Sequence, residues 1–238
     1  MRLTVKLAVL LLFASTLASA DTLVVPYGMA NIVGNVAQGL TGPTIFEYQE
    51  DFGRGPFYSV GESLLTQIAF RAAPGSGLVN VTVESFSIFL STSPYYPNAM
   101  GTHTLITSSY ASNEGADNTL VLAGGPGTFF SSPGCTGPGP CPFDMVFNLA
   151  NPFLYNPERG TLLLDAQFTG WTGSGNLDAE FYDSPGGVVA QVNSSDNVVL
   201  GGPIVQFGFT PVPEPGSVSL LVAGLAAFAG VVRRKKMD

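Results

Sequence analysis

The shortness of its apolar runs most limits what this chain can fold into. Apolar or alternating stretches occur at 22–25, 44–49, 64–71, 78–90, 103–107, 119–122, 143–149, 161–168, 178–183, 188–192 and 197–209, and Gly, Pro, Asn or Ser clusters separate nearly all of them. A 3.6-residue periodicity never persists between residues 21 and 210. Short, punctuated strands of this kind predict an all-β domain, an antiparallel, jelly-roll-like β-sandwich, over 21–210. In an extended chain Phe143, Met145, Phe147 and Leu149 point one way and Asp144, Val146 and Asn148 the other, the mark of a half-buried strand. Along 78–90 the apolar phase shifts from Val79, Val81 and Val83 to Phe86, Ile88 and Leu90, which predicts a bulge or bend near Glu84 and Ser85. Ile68, Phe70, Leu162 and Leu164 are expected in the core.

Charge excludes one class of partner. Between Asp21 and Pro211 stand fifteen acidic residues against three arginines (Arg54, Arg71, Arg159) and no lysine, a net charge of −12. Nucleic acid binding needs clustered cations, so none is expected. Aromatic and branched apolar residues recur throughout, which distinguishes the body from a disordered linker.

The two ends follow different rules from the body. Residues 1–20 have a basic start (Arg2, Lys6), an apolar stretch from Leu7 to Leu17 and small residues at Ala18 and Ala20, the pattern of a secretory signal helix cleaved before Asp21. At the other end a Val-Pro-Glu-Pro-Gly linker (211–217) precedes an apolar run (218–232) and a basic tail (233–238) containing Arg233, Arg234, Lys235 and Lys236. The run falls short of the ~20 residues that span a bilayer comfortably. As a single transmembrane helix it would leave the basic tail cytoplasmic and the body outside the inner membrane. Both ends therefore predict the same topology.

This order of motif, apolar segment and basic stop resembles the PEP-CTERM sorting signal of Gram-negative bacteria. The resemblance implies that an exosortase-type membrane peptidase recognises Pro213, Glu214 and Pro215 and removes the segment beyond them, with Arg233 to Lys236 as the stop. It implies an inner-membrane-anchored intermediate, then a cell-surface or extracellular product, and an association with exopolysaccharide. The body resembles exported proteins of acidobacteria and related soil bacteria that carry the same tail. The matching motifs are Tyr-Gln at 48–49, Ile-Ala-Phe-Arg at 68–71, a Ser-Thr turn after an apolar strand at 90–92, and Asn-Pro-Phe-Leu-Tyr-Asn-Pro followed by Leu-Leu-Leu-Asp over 151–165. That resemblance implies a β-sandwich and no particular activity.

Candidate chemistry is sparse. The single histidine, His103, has no partner histidine, whereas zinc sites gather three or four ligands. No G-x-S-x-G elbow occurs. Asp178, Glu180 and Asp183 lie close together and read as a solvated strand edge, or else as one side of a hydrolase cleft. Cys135 and Cys141 bracket a Gly/Pro-rich loop and are expected to pair in an exported chain. Asn113, Glu114, Asp117 and Asn118 crowd a turn at Gly115; these are ordinary turn formers and also oxygen ligands, which makes the turn the one calcium candidate in a chain otherwise expected to need no cofactor. Trp171, among small residues, and the Tyr95 and Tyr96 pair, between prolines, are candidate aromatic platforms for a sugar, or else aromatics that pack at the edges of a sandwich. The expectation is a non-catalytic structural or adhesive surface protein; the alternatives are a carbohydrate-binding module and a secreted glycan hydrolase.

Overall fold

The computed structural model describes residues 21–43, 45–95, 107–181, 189–192 and 198–212. The expected signal helix, His103, Tyr96, Asp183, the Pro-Glu-Pro motif, the apolar segment and the basic tail lie outside the described residues. Among the described residues no helix is long and apolar enough to cross a membrane.

Fifteen strands are described: β1 (Asp21–Val25), β2 (Val36–Gly39), β3 (Ile45–Phe52), β4 (Ser63–Phe70), β5 (Val79–Val83), β6 (Ser85–Ser93), β7 (Thr119–Gly124), β8 (Gly127–Ser132), β9 (Met145–Tyr155), β10 (Thr161–Thr169), β11 (Thr172–Ser174), β12 (Asn176–Phe181), β13 (Val189–Val192), β14 (Val198–Pro203) and β15 (Val205–Pro211). Among the described residues helix is confined to one α-turn, α1 (Tyr110–Asn113), and two 3-10 turns at Met29–Asn31 and Pro56–Ser59. Every strand pair is antiparallel, in three connected sheets ordered β1-β15-β4-β9, β2-β12-β14-β13-β3-β10-β6-β7 and β11-β5-β8. The all-β expectation holds.

The inner faces of these sheets meet in one core. Phe52 of β3 meets Phe207 of β15 edge-on at 5.0 Å between ring centroids, and Phe57 bridges Phe207 and Tyr155. Phe129 of the smallest sheet packs on Phe86, Phe147 and Phe168 at 4.6, 4.8 and 5.1 Å, joining all three sheets. T-shaped and tilted ring pairs at such spacings add to simple area burial. Leu162 and Leu164 are buried, as is Ile68, while Phe70 is half-buried. The alternation of β9 is as read: Met145, Phe147 and Leu149 are buried, and Val146 and Asn148 exposed.

The bend expected near Glu84 and Ser85 is present at Glu84, where the chain crosses between sheets: β5 pairs with β8 and β11 whereas β6 pairs with β10 and β7. One expectation changes. The Ser-Thr pair at 91–92 is not a turn but lies inside β6, opposite Leu163 and Leu162.

Candidate functional site

Alternation along β3 divides its polar run between two environments. Tyr48 and Phe52 face the apolar core, and Glu50 lies with them, its carboxylate accepting a 3.0 Å hydrogen bond from the Tyr48 hydroxyl. Glu47, Gln49 and Asp51 face the other way. In register on β10, Asp165 stands opposite Gln49, and Leu163 opposite Asp51. A segment from Thr107 to Asn118, including α1, is laid across this second face.

Asn113 holds the segment in place. Fully buried, it donates through Nδ2 to Gln49 Oε1 and to the Thr107 carbonyl, both at 2.8 Å, and accepts from Thr107 N at 2.7 Å. Gln49 Nε2 donates to Asp165 Oδ2 and to the Tyr110 carbonyl, both at 3.1 Å, and the Tyr110 hydroxyl donates to the Glu47 carbonyl at 3.0 Å. Farther along, Gly115 N donates to Ser91 Oγ, and Asp117 accepts from Thr92 N at 2.7 Å and from Thr92 Oγ1 at 2.6 Å. A Cβ on Gly115 would overlap the Thr92 carbonyl, so only glycine lets the chain pass this close.

One carboxylate oxygen from each of Glu47, Glu114 and Asp165 falls within 4.8 Å of the other two. Asp165 is 1% exposed, and its Oδ1 accepts no hydrogen bond. Burial, reinforced by the Glu47 and Glu114 charges and by a hydrogen bond with the Glu47 carboxyl against the opposing Gln49 bond, pushes the Asp165 carboxyl up to about 7. Burial raises Glu47 as well. Farther along the same face Asp51 is pushed to about 8 by burial, which the Thr161 and Ser93 hydroxyls only partly oppose; neither of its oxygens has a hydrogen bond of good geometry. Burial also holds the Glu50 carboxyl well above its ordinary range, and its Oε1 accepts no bond. Among the described residues no guanidinium or ammonium group is salt-bridged to Glu47, Glu114 or Asp165.

The expected calcium turn thus does not gather its four residues around one point. Asn113 is the buried pin, Asp117 secures Thr92, and Asn118 Nδ2 donates to Glu114 Oε2. Of the four, only Glu114 joins the carboxylate group. Glu47 and Asp165 were not among the sequence candidates. They sit on strands far apart in the chain, and the available hint was a polar run from Glu47 to Asp51 inside a segment otherwise read as strand.

A second polar centre lies under residues 29–35. Arg71, fully buried at the end of β4, donates from Nε to Asp178 Oδ2 at 2.8 Å, from Nη1 to the Ala30 carbonyl at 3.2 Å and from Nη2 to the Ile32 carbonyl. Its guanidinium lies 4.9 Å from the Phe143 ring centroid. Asp178 Oδ1 accepts from Gly34 N at 2.9 Å, and Glu180 Oε2 accepts from Asn35 N at 3.0 Å. Asp178 and Glu180 are therefore buried clamps rather than a solvated edge, because the 29–35 loop covers them.

The aromatic platforms also change. Trp171 is only 7% exposed, packs against Phe168 at 4.7 Å and donates its indole N–H to the Leu40 carbonyl at 2.9 Å. The small residues around it make room for packing rather than for a ligand. Tyr95 is half-buried against Leu163, and its carbonyl accepts from Thr161 Oγ1. Cys135 and Cys141 form a disulfide with a Cα–Cα distance of 5.6 Å.

The tail is where known proteins meet this chain. Residues 211–236 match the PEP-CTERM protein-sorting motif. The motif indicates an exported protein sorted by exosortase, a membrane protein, through a membrane-anchored intermediate. No curated protein and no solved structure matches the chain.

Proposed function

We propose that the body is a β-sandwich delivered to the cell surface or extracellular matrix, where it serves a structural or adhesive role beside exopolysaccharide and performs no catalysis. The observation that carries this reading is how the sorting motif joins the fold. The motif begins at Pro211, the last residue of β15, and β15 lies inside its sheet between β1 and β4. Strand β1 starts at Asp21, which pairs with Phe209. The start of the body and the root of the tail therefore leave the sheet side by side, and an export signal and an anchor attached there would hold one end of the domain to the membrane.

Pro213 and Pro215 cannot donate to a ladder or extend a helix, which keeps the stretch after β15 available to a peptidase. The acidic residues resembling a hydrolytic pair support a structural role better. Asp178 and Glu180 are engaged by Arg71 and Asn35, and Glu47 and Asp165 crowd each other beneath a covering segment instead of flanking a substrate. Replacing Pro213, Glu214 and Pro215 together by alanine in the producing cell is expected to leave an uncleaved, membrane-bound form on immunoblots of fractionated cells. Release and size equal to wild type would reject the sorting reading.

A further inference from the structure

Three elements bring a carboxylate to one point: Glu47 from β3, Asp165 from β10 and Glu114 from the covering segment. Oxygens bound to one Ca2+ at about 2.3–2.6 Å lie no more than about 5 Å apart. The mutual spread of 4.8 Å in this group satisfies that limit. Asp165 supplies the second observation. It is buried to 1% exposure, its Oδ1 accepts no hydrogen bond and its side chain has the Glu47 carboxyl as a neighbour, while Gln49, itself fixed by Asn113 and the Tyr110 carbonyl, holds Oδ2 and so sets the orientation of the carboxylate. An unpartnered buried carboxylate oxygen is costly unless a proton or a cation meets it. No basic side chain is salt-bridged to the group among the described residues, and the donor set is entirely oxygen.

We propose that Glu47, Glu114 and Asp165 bind a hard divalent cation of the calcium class, which ties the 107–118 segment to strands β3 and β10. The cation would play the part that Arg71 plays under the other loop. Glu47 and Glu114 are only half-buried, so solvent can complete the coordination shell. This reading is independent of the sorting tail. Its rival is a proton shared between Glu47 and Asp165, which would relieve the same repulsion without metal.

The test is calcium uptake by the full-length protein in detergent, stripped with chelator and dialysed at pH 7.5 against radioactive calcium. Wild type is expected to take up one ion saturably, Asp165→Asn and Glu114→Gln each to weaken binding about tenfold or more, and Glu158→Gln, at an exposed carboxylate outside the group, to bind as wild type does. Glu114→Gln alters a half-exposed segment residue and guards against a failure of Asp165→Asn to fold. No saturable uptake by wild type up to about 10 mM, well above the range of extracellular calcium modules, would overturn the proposal. So would undiminished uptake by both group variants. A melting temperature indifferent to calcium would overturn it likewise.

Discussion

The two loops laid over this fold are fastened by the same device with one difference. Residues 29–35 are held by Asp178 and Glu180, and 107–118 by Gln49, Ser91 and Thr92; in each case a glycine, Gly34 or Gly115, lets the backbone press against a strand where a Cβ would overlap a carbonyl. Under the first loop an arginine comes with the carboxylate. Under the second, three carboxylates converge and, among the described residues, no salt bridge answers them. Burial pushes Arg71 down and Asp178 up even as they attract each other, so that pair is held by its geometry against its own desolvation. The comparison teaches that one of the three arginines of the body is spent on a buried carboxylate beneath a loop, and it is the absence of a counterpart at Asp165 that the proposed cation would make good.

The largest expected effect breaks the first clamp. Arg71→Met leaves Asp178 buried without its cation, and loss of one partner of a buried pair costs about 3–5 kcal/mol. Denaturant titration should show that loss, whereas a midpoint within error of wild type would mean that the pair is dispensable. Next comes pH, which separates the clamps. Asp165 and Asp51 have folded-state values raised to about 7 and about 8, far above the ordinary carboxylate range. The stability they contribute is fully present below about pH 4 and is lost as pH rises through 7 and 8, since the folded state binds the extra protons. In chelator the protein should therefore have a higher denaturation midpoint at pH 5 than at pH 8.5, and Asp51→Asn should flatten part of that slope. A midpoint that rises with pH would reverse the assignment. The smallest effect serves as a control, because the disulfide carries no titrating group. Opening the Cys135–Cys141 disulfide, a short ring, should cost about 2 kcal/mol and leave the pH slope unchanged, as measured by the same titration on the double serine variant.

Local pattern carried the strands well and the clamps poorly. Met145 to Leu149 alternate so regularly that the buried face of β9 could be read directly, and the phase shift at Glu84 marked where the chain changes sheets. Sheet register is another matter, because alternation says which side a residue faces and nothing about what stands opposite it. Asp165 meets Gln49, and Asp178 meets Arg71, only through pairings made across more than a hundred residues. With three arginines in the whole body, the one at the end of the Ile-Ala-Phe-Arg strand was the available clue to a buried pair. Trp171 stayed open between platform and packing for a related reason: glycines beside an aromatic ring describe free space equally well whether solvent or Phe168 fills it. The sorting tail was the most legible part because its motif is linear and needs no register.

Amide hydrogen exchange on the full-length protein at pH 7.5, with calcium and with chelator, tests the contrast most directly. Calcium is predicted to slow exchange across 107–118 and to leave 29–35 unchanged, since Arg71 already supplies the charge there. Equal exchange of 107–118 under both conditions, or equal slowing of both loops, would contradict the account.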